Sequence, residues 1–205
     1  NILSLYCNDV SDSFFSNEIN NKFIDDFSKN TKEQINFLSE TIDDFRDFFN
    51  PNKQKVVFEI KSAIEKSLKF MGNQFEINRV KVNIEYKDEK VYGIEIELEQ
   101  VILNILNNSM DAFKERKIEN KEINIKVLSK QSYTILIMED NAGGVKEESL
   151  EKIFDPYYTT KSTGTGTGLY MVKLVVKNSL QGDLKINNSE KGLRYIIALP
   201  QKEER

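Results

Sequence analysis

Residues 140–169 read DNAGGVKEESLEKIFDPYYTTKSTGTGTGL, and this stretch is the most informative part of the sequence. It holds five of the nine glycines in the chain, as Gly143–Gly144 and within Gly164–Gly168. Clustered glycines let a backbone approach a ligand closely. The second group leads into an apolar run, 169–176, that predicts a helix, and a glycine-rich turn opening a helix directs free N–H groups at an anion. We expect a phosphate-binding loop here; the alternative is a plain flexible turn.

The glycine pattern matches neither of two common phosphate loops. The motif G-x-x-x-x-G-K-[ST] is absent, and the dinucleotide fingerprint G-x-G-x-x-G fails because Leu169 stands where its last glycine belongs. The H-R-D and D-F-G motifs of Ser/Thr kinases are also missing. A phosphate ligand would therefore require a different nucleotide-binding fold.

A predicted helix over Glu95–Arg116 carries polar residues among core-type ones. Asn104, Asn108 and Asp111 lie on one face, at positions i, i+4 and i+7. Asparagine is a poor helix former, so this row favours a binding role, and amide oxygens can hold Mg²⁺. Because asparagine is common in this chain, a chance arrangement is the alternative.

Asp140 ends a predicted strand, just before the turn Asn141–Gly144. A carboxylate beside an apolar cavity can accept a hydrogen bond from an exocyclic amine such as adenine N6, which would select the base. The alternative is an aspartate that only forms an Asx turn.

Composition excludes several function classes. The 205 residues include no histidine and one cysteine, which excludes Ser-His-Asp catalysis, Cys-His catalysis and cysteine-cluster zinc sites. The formal net charge of −4 argues against nucleic acid as the main partner. No apolar run approaches a membrane span, so we expect no membrane contact by this piece and a cytoplasmic, reducing location.

The pattern along the chain predicts two domains. Residues 1–51 read as an antiparallel helical hairpin whose long helix, 19–49, has an apolar seam; we expect dimerisation into a four-helix bundle, with intramolecular packing as the alternative. Pro51 ends that helix. Residues 52–205 predict an α+β fold, a two-layer sandwich with helices on one face of a sheet. Its predicted helices are 59–71 (ended by Gly72), 95–116 and 168–178, and its predicted strands are 80–86, 123–128, 133–138, 183–187 and 194–199.

Four segments together resemble the catalytic ATP-binding domain of sensor histidine kinases, in the superfamily shared with gyrase and Hsp90. Residues 100–112, QVILNILNNSMDA, resemble the N box, and 140–144, DNAGG, resemble the G1 box. Residues 153–161, IFDPYYTTK, resemble the F box, and 164–169, GTGTGL, resemble the G2 box. The resemblance covers residues 56–200, and the preceding hairpin is similar to a dimerisation and phosphotransfer region.

The resemblance implies ATP and Mg²⁺ as cofactors and assigns roles within these boxes. Asp140 would contact adenine, Asn104 and Asn108 would meet Mg²⁺ and the phosphates, and residues 155–168 would form a mobile lid. Asn104, Thr160 and Lys161 would be the catalytic residues. The implied ATP contacts are Asn104, Asn108, Asp111, Ala112, Asp140, Gly144, Phe154, Thr160, Lys161, Gly164, Thr165, Gly166, Thr167, Gly168 and Leu169.

Two departures from the family pattern shape the expected activity. The hydrolases of the superfamily carry a glutamate where this chain has Asn104, and an amide cannot be a general base, so phosphoryl transfer fits better than ATP hydrolysis. The kinases phosphorylate a histidine, and this chain has none. We expect a fragment that begins downstream of that histidine and has a response regulator receiver domain as partner; the alternatives are a degenerate kinase, an ATPase or an ATP-sensing scaffold.

Overall fold

The computed structural model describes residues 10, 20–29, 31–32, 35, 54–161 and 166–202. The chain divides into two units, Asn1–Asn52 and Lys53–Arg205. In the first unit, residues 21–29 are helical, and the Asn20 side chain caps this segment by accepting a hydrogen bond from Phe23 N–H at 3.0 Å. Most of the predicted hairpin, including its turn, lies outside the described residues.

The second unit contains seven strands and three α-helices among its described residues. They are β1 (Val56–Glu59), α1 (Ile60–Asn78), β2 (Val80–Glu85), β3 (Lys90–Gly93), α2 (Glu95–Glu115), β4 (Lys121–Lys130), β5 (Tyr133–Asp140), α3 (Gly168–Leu174), β6 (Asp183–Asn188) and β7 (Leu193–Pro200). Two 3-10 turns, Glu147–Ser149 and Lys152–Phe154, lie between β5 and α3, and a π-helical turn, Val175–Ser179, follows α3.

Five strands form one mixed sheet in the order β2-β4-β5-β7-β6. The β2–β4 pair is parallel and the other three pairs are antiparallel. Strands β1 and β3 form a separate antiparallel pair. Strand β7, the last strand of the described chain, thus lies inside the sheet between β5 and β6.

The core lies between this sheet and the helices. Alternate residues of β5 are buried, namely Thr134, Leu136, Met138 and Asp140, as expected when one face of a sheet is covered. Helix α2 buries a stripe that includes Ile102, Ile105, Leu106 and Phe113, and it packs against both α1 and α3. The α+β prediction is confirmed.

The structure corrects the sequence reading in two places. Gly72 does not end the first helix of this unit: α1 continues to Asn78 and ends at Arg79, which has φ 55°. The continued burial of Met71 and Phe75 outweighs the roughly 1 kcal/mol that a mid-helix glycine costs. Strands β2 and β4 are parallel, a pairing that the sequence pattern did not predict, and the pair β1–β3 was not predicted either.

The other elements predicted for residues 52–205 are confirmed, with ends that differ by a few residues. Helix α2 spans nearly the predicted range, and both predicted hairpins, β4–β5 and β6–β7, are present. The helix expected from Gly168 changes to a π-helical turn after Leu174. Within the described part of the chain, no helix combines the length and apolar character that crossing a membrane requires.

Candidate functional site

A cavity of about 640 Å³ is lined by α2, the turns after β5, α3 and the beginning of β7. Several glycines and small residues leave room at its wall, while aspartate, asparagine and lysine side chains supply polar atoms. The described lining residues are Asn108, Asp111, Ala112, Glu115, Arg116, Asp140, Ala142, Gly144, Val145, Lys146, Glu148, Ser149, Ile153, Tyr158, Thr159, Thr160, Lys161, Gly166, Gly168, Leu169, Leu193 and Tyr195.

Asp140 is the buried carboxylate of this cavity, only 5% exposed. It reaches the covered face of the sheet because β5 alternates and Asp140 shares the face of Leu136 and Met138. Its Oδ1 accepts hydrogen bonds from Ala142 N–H at 2.9 Å and from Leu193 N–H at 3.3 Å. Its Oδ2 accepts one from the Ser109 hydroxyl at 2.9 Å. A carboxylate has about four acceptor positions, so these three bonds leave one for a ligand donor.

Tyr195 lies beside this carboxylate, on β7, and is 1% exposed. Burial raises the pKa of the Tyr195 hydroxyl, and the negative charge of Asp140 raises it further. The phenol therefore stays neutral at physiological pH. The surroundings of Asp140 thus combine a neutral aromatic wall with an anionic acceptor, which suits a flat heterocycle that carries an amino group.

The turn after Asp140 is held in place by the hairpin β6–β7. Asn188 contacts Val145 twice: Asn188 Nδ2 donates to Val145 O at 2.7 Å, and Val145 N–H donates to Asn188 Oδ1 at 2.9 Å. Gly144 has φ +67°, and a Cβ at Gly144 would lie 2.4 Å from Asn188 Oδ1. At Gly192 a Cβ would lie 2.0 Å from Asp140 O. Both glycines are therefore required for the hairpin to approach Asp140.

A second polar group in the cavity connects α2 to Lys161. The Lys161 ammonium donates to Asn108 Oδ1 at 3.1 Å and to Asp111 Oδ2 at 2.7 Å. Asn108, Asp111, Ala112 and Glu115 all line the cavity because they share one face of α2. Among the side chains described, Asn108 Nδ2 is buried and has no hydrogen-bond partner.

The segment between β5 and α3 supplies the opposite wall. Ile153 is buried and lines the cavity, and the Tyr158 hydroxyl donates to Ser149 Oγ at 3.0 Å. Phe154 does not line the cavity; its ring lies 5.6 Å from Lys173 Nζ, against α3. Phe154 thus contacts the helix behind the site, while Ile153 faces the ligand space.

Ten of the residues predicted as ATP contacts line this cavity: Asn108, Asp111, Ala112, Asp140, Gly144, Thr160, Lys161, Gly166, Gly168 and Leu169. Asn104, Phe154 and Thr167 do not line it. Asn104 instead lies near the start of α3, where its Oδ1 would be 3.7 Å from a Cβ at Gly168. Gly164 and Thr165 lie outside the described residues.

Sequence reasoning missed several residues of the site. Ser109 falls within the N-box segment, and its burial next to Ile105 on α2 could have indicated an inward-facing hydroxyl. Tyr195 belongs to the predicted strand 194–199 and Leu193 directly precedes it, but alternation alone does not show which face approaches Asp140. Arg116, which donates to Ala142 O, could be found only from the fold.

A comparison with known protein families shows which family this chain belongs to. Residues 93–203, more than half of the chain, match the family described as histidine kinase-, DNA gyrase B-, and HSP90-like ATPase. The chain belongs to this family. The matched range contains the whole cavity, and membership supports ATP as its ligand.

Curated relatives of this family member are sensor kinases. It is 27% identical over 192 residues to sporulation kinase B of Bacillus subtilis (strain 168), an alignment that covers 91% of this chain and 44% of that protein. The chain thus spans less than half the length of the curated relatives it matches first.

Solved structures show the same fold. The catalytic domain of histidine kinase ThkA superposes with a TM-score of 0.65 at 23% identity, covering 72% of this chain and 96% of that one. A structure of ThkA in complex with the response regulator protein TrrA gives a TM-score of 0.68 at 18% identity, covering 98% of this chain and 58% of that one. These likenesses establish the fold of a histidine kinase catalytic domain.

Proposed function

We propose that this chain binds Mg-ATP in the cavity and transfers the γ-phosphoryl group to a histidine outside these 205 residues. The observation that carries the proposal is the surroundings of Asp140, a buried carboxylate with one acceptor position left beside Tyr195. Adenine N6 is an amine donor on a flat heterocycle, so it matches both the free acceptor and the aromatic wall. Ser109 and the two backbone N–H groups hold the carboxylate in place for it.

The second polar group fits a triphosphate and its metal ion. Asn108 Oδ1 and Asp111 Oδ2 are oxygen ligands of the kind Mg²⁺ takes, and Asn108 Nδ2 is a buried donor suited to a phosphate oxygen. No group of three or more Cys, Asp or Glu residues that could hold a metal occurs among the described residues, which agrees with a Mg²⁺ ion shared between few protein oxygens and substrate phosphates. When bound, Mg²⁺ would neutralise charge on the phosphates.

The reaction we propose needs positioning more than acid–base chemistry. A histidine ring nitrogen would attack the γ-phosphorus while the bond to the bridging oxygen breaks and ADP leaves. Lys161 and Thr160, both at the cavity, would face the transferred group, and Lys161 would offset its charge. Asn104 belongs to α2 and its side chain lies near the start of α3, so its part in the site would be to hold that helix near the phosphates.

We propose a response regulator receiver domain as the next acceptor. The solved complex of ThkA with TrrA supports this choice of partner, since that protein has the fold of this chain. We also propose a homodimer formed through the N-terminal helices, because Ile24 and Ile35 of the apolar seam are 48% and 51% exposed in the single chain.

Calorimetric titration with a non-hydrolysable ATP analogue and Mg²⁺ tests nucleotide binding. We expect one site per chain and a loss of about tenfold or more in affinity for Asp140→Asn, because the amide would replace an acceptor by a donor. Glu85→Gln is a control for the loss of one negative charge, since Glu85 lies outside the cavity and its side chain is 75% exposed. Absence of binding by the unmodified chain would refute the proposal.

Phosphoryl transfer is tested with a histidine-bearing helical hairpin supplied in trans. Radiolabel from γ-labelled ATP should appear on that hairpin and then on a receiver domain. Sustained phosphate release without labelling of the hairpin would instead favour an ATPase. Nucleotide binding with neither reaction would favour an ATP-sensing scaffold.

A further inference from the structure

Lys161 occupies a position between two oxygen atoms of α2. Its Nζ lies 3.1 Å from Asn108 Oδ1 and 2.7 Å from Asp111 Oδ2. Because Asn108 and Asp111 are three residues apart on α2, one ammonium bridges adjacent turns of the helix. The two oxygens that contact the ammonium, one from an amide and one from a carboxylate, are also suitable ligands for a hard divalent cation.

The amide of Asn108 is oriented by this contact. Its Oδ1 faces the ammonium, and its Nδ2 is buried without a hydrogen-bond partner among the described residues. A buried donor without a partner is energetically unfavourable, so Asn108 Nδ2 is satisfied only when a ligand supplies a hydrogen-bond acceptor. Asn108 therefore presents an oxygen to a cation and a nitrogen to an anion, which are the two charges of a metal–phosphate pair.

We propose that Lys161 is the resident cation of this site and that a divalent metal ion competes with it for Asn108 Oδ1 and Asp111 Oδ2. The inference rests on the nucleotide function proposed above. A metal ion and the Lys161 ammonium would both need the same two oxygens, and their positive charges would repel each other. Metal binding therefore displaces the ammonium. Lys161 is then free to contact phosphate, and without metal it supplies the positive charge itself.

A purely structural ion pair is the competing explanation. Exposed ion pairs contribute little to stability, but the Lys161 side chain is only 23% exposed and lines the cavity. If the pair only fastened Lys161 to α2, removing it would lower the stability and leave metal binding unchanged. The two explanations thus differ in metal affinity.

The direct test measures Mn²⁺ binding to the 205-residue chain without nucleotide, by the loss of the free-ion electron paramagnetic resonance signal. We expect Lys161→Met to bind Mn²⁺ at least about fivefold more tightly, because a competing cation has been removed, and Lys161→Arg to stay close to the unmodified chain. Lys81→Met is the matched control, since Lys81 pairs with Glu122 at 3.3 Å outside the cavity. Unfolding temperatures confirm that each variant is folded.

An unchanged or weaker Mn²⁺ affinity in Lys161→Met would overturn the inference. In the double variant Lys161→Met/Asp111→Asn the gain should disappear, because one of the two contested oxygens is lost. A gain that survives the double variant would also overturn it, since the metal would then be binding elsewhere.

Nucleotide titrations with Mg²⁺ and with a chelator separate this inference from the proposed function. Lys161→Met should lose at least about fivefold more affinity for ADP in the chelator than in Mg²⁺, because in Mg²⁺ the lost phosphate contact is offset by the removal of a cation that competes with the metal. Equal losses of ADP affinity in both conditions would mean that Lys161 is only a phosphate contact, and would overturn the proposed competition between Lys161 and the metal ion. Failure of the unmodified chain to bind nucleotide in either condition would refute the proposed function. The Mn²⁺ measurement would still test whether Lys161 competes with a metal ion, because it needs no nucleotide.

Discussion

The Ser109 hydroxyl donates a hydrogen bond to Asp140 Oδ2 at 2.9 Å, joining α2 to the end of β5 across 31 positions of sequence. Both side chains are buried, with exposures of 3% and 5%. The bond occupies one acceptor position of the carboxylate and fixes its orientation. The base recognition that we propose for Asp140 would therefore depend on a helix residue as well as on the carboxylate itself.

Ser109→Ala should weaken binding of the ATP analogue by about three- to tenfold, because Asp140 loses a charge-assisted donor that orients it. The free energy of unfolding should also fall, by about 1–3 kcal/mol, since a buried carboxylate oxygen loses its partner. Calorimetry and urea unfolding measure the two effects. Ser67→Ala is the control: Ser67 is equally buried, and its hydroxyl donates to Ala63 O at 2.8 Å within α1. Equal effects of both variants on nucleotide affinity would contradict the role of Ser109.

Gly192→Ala should abolish nucleotide binding and destabilise the protein. A Cβ at this position would lie 2.0 Å from Asp140 O and 2.6 Å from Asp140 Oδ1, so either β7 or the carboxylate must move. Gly72→Ala is the matched comparison, because nothing lies within 4 Å of the added atom and the residue is in the middle of α1. That variant should gain about 0.5–1 kcal/mol of stability with unchanged binding. Thermal unfolding and calorimetry of both variants provide the check, and normal binding by Gly192→Ala would disprove the close approach.

Asn188→Asp should loosen the turn after Asp140. The carboxylate can still accept from Val145 N–H, but it cannot donate to Val145 O or to Glu147 Oε1, which Asn188 Nδ2 now contacts at 2.7 and 3.1 Å. We expect a loss of about 1–3 kcal/mol in the free energy of unfolding. Hydrogen exchange at Val145 should speed up in the variant. Asn187→Asp, at the neighbouring exposed position, should leave both quantities nearly unchanged.

The Glu139–Arg194 pair predicts a pH-dependent contribution to stability. Burial alone would raise the pKa of Glu139, but hydrogen bonds from Arg194, at 2.7 Å, and from Ser189 hold it below its ordinary value. Because the folded-state pKa is the lower one, the pair stabilises the fold above the unfolded pKa of about 4.3 and loses this effect as pH falls through the folded pKa. Arg194→Met should cost about 0.5–1 kcal/mol at pH 7. In urea unfolding the difference should shrink toward pH 3, and a constant difference would contradict this assignment.

The sequence predicts those parts of the site that depend on local pattern. Asp140 could be found because it ends an alternating strand and precedes two glycines, and Asn108 and Asp111 could be found because they share a helix face. The partners of these residues could not be found in the same way. Ser109 meets Asp140 only through the packing of α2 on β5, and Lys161 reaches Asp111 from 50 positions away.

The errors in the predicted fold have a related cause. Gly72 reads as a helix end because propensity is local, whereas the burial of Phe75 that extends α1 depends on packing. Strands β1 and β3 have four residues each, too few to show alternation. The parallel pairing of β2 with β4 depends on the route of the chain through α2, and no residue pattern within either strand specifies it.

The position of β7 has a consequence for synthesis. This strand comes last along the described chain, yet it pairs between β5 and β6 and supplies Leu193 N–H to Asp140 and Tyr195 to the cavity. A nascent chain emerging from the ribosome thus makes α2 and β5 long before their buried carboxylate has its full set of partners. We expect the growing polypeptide to be unable to capture nucleotide until β7 has been released, so that ligand binding reports a finished domain.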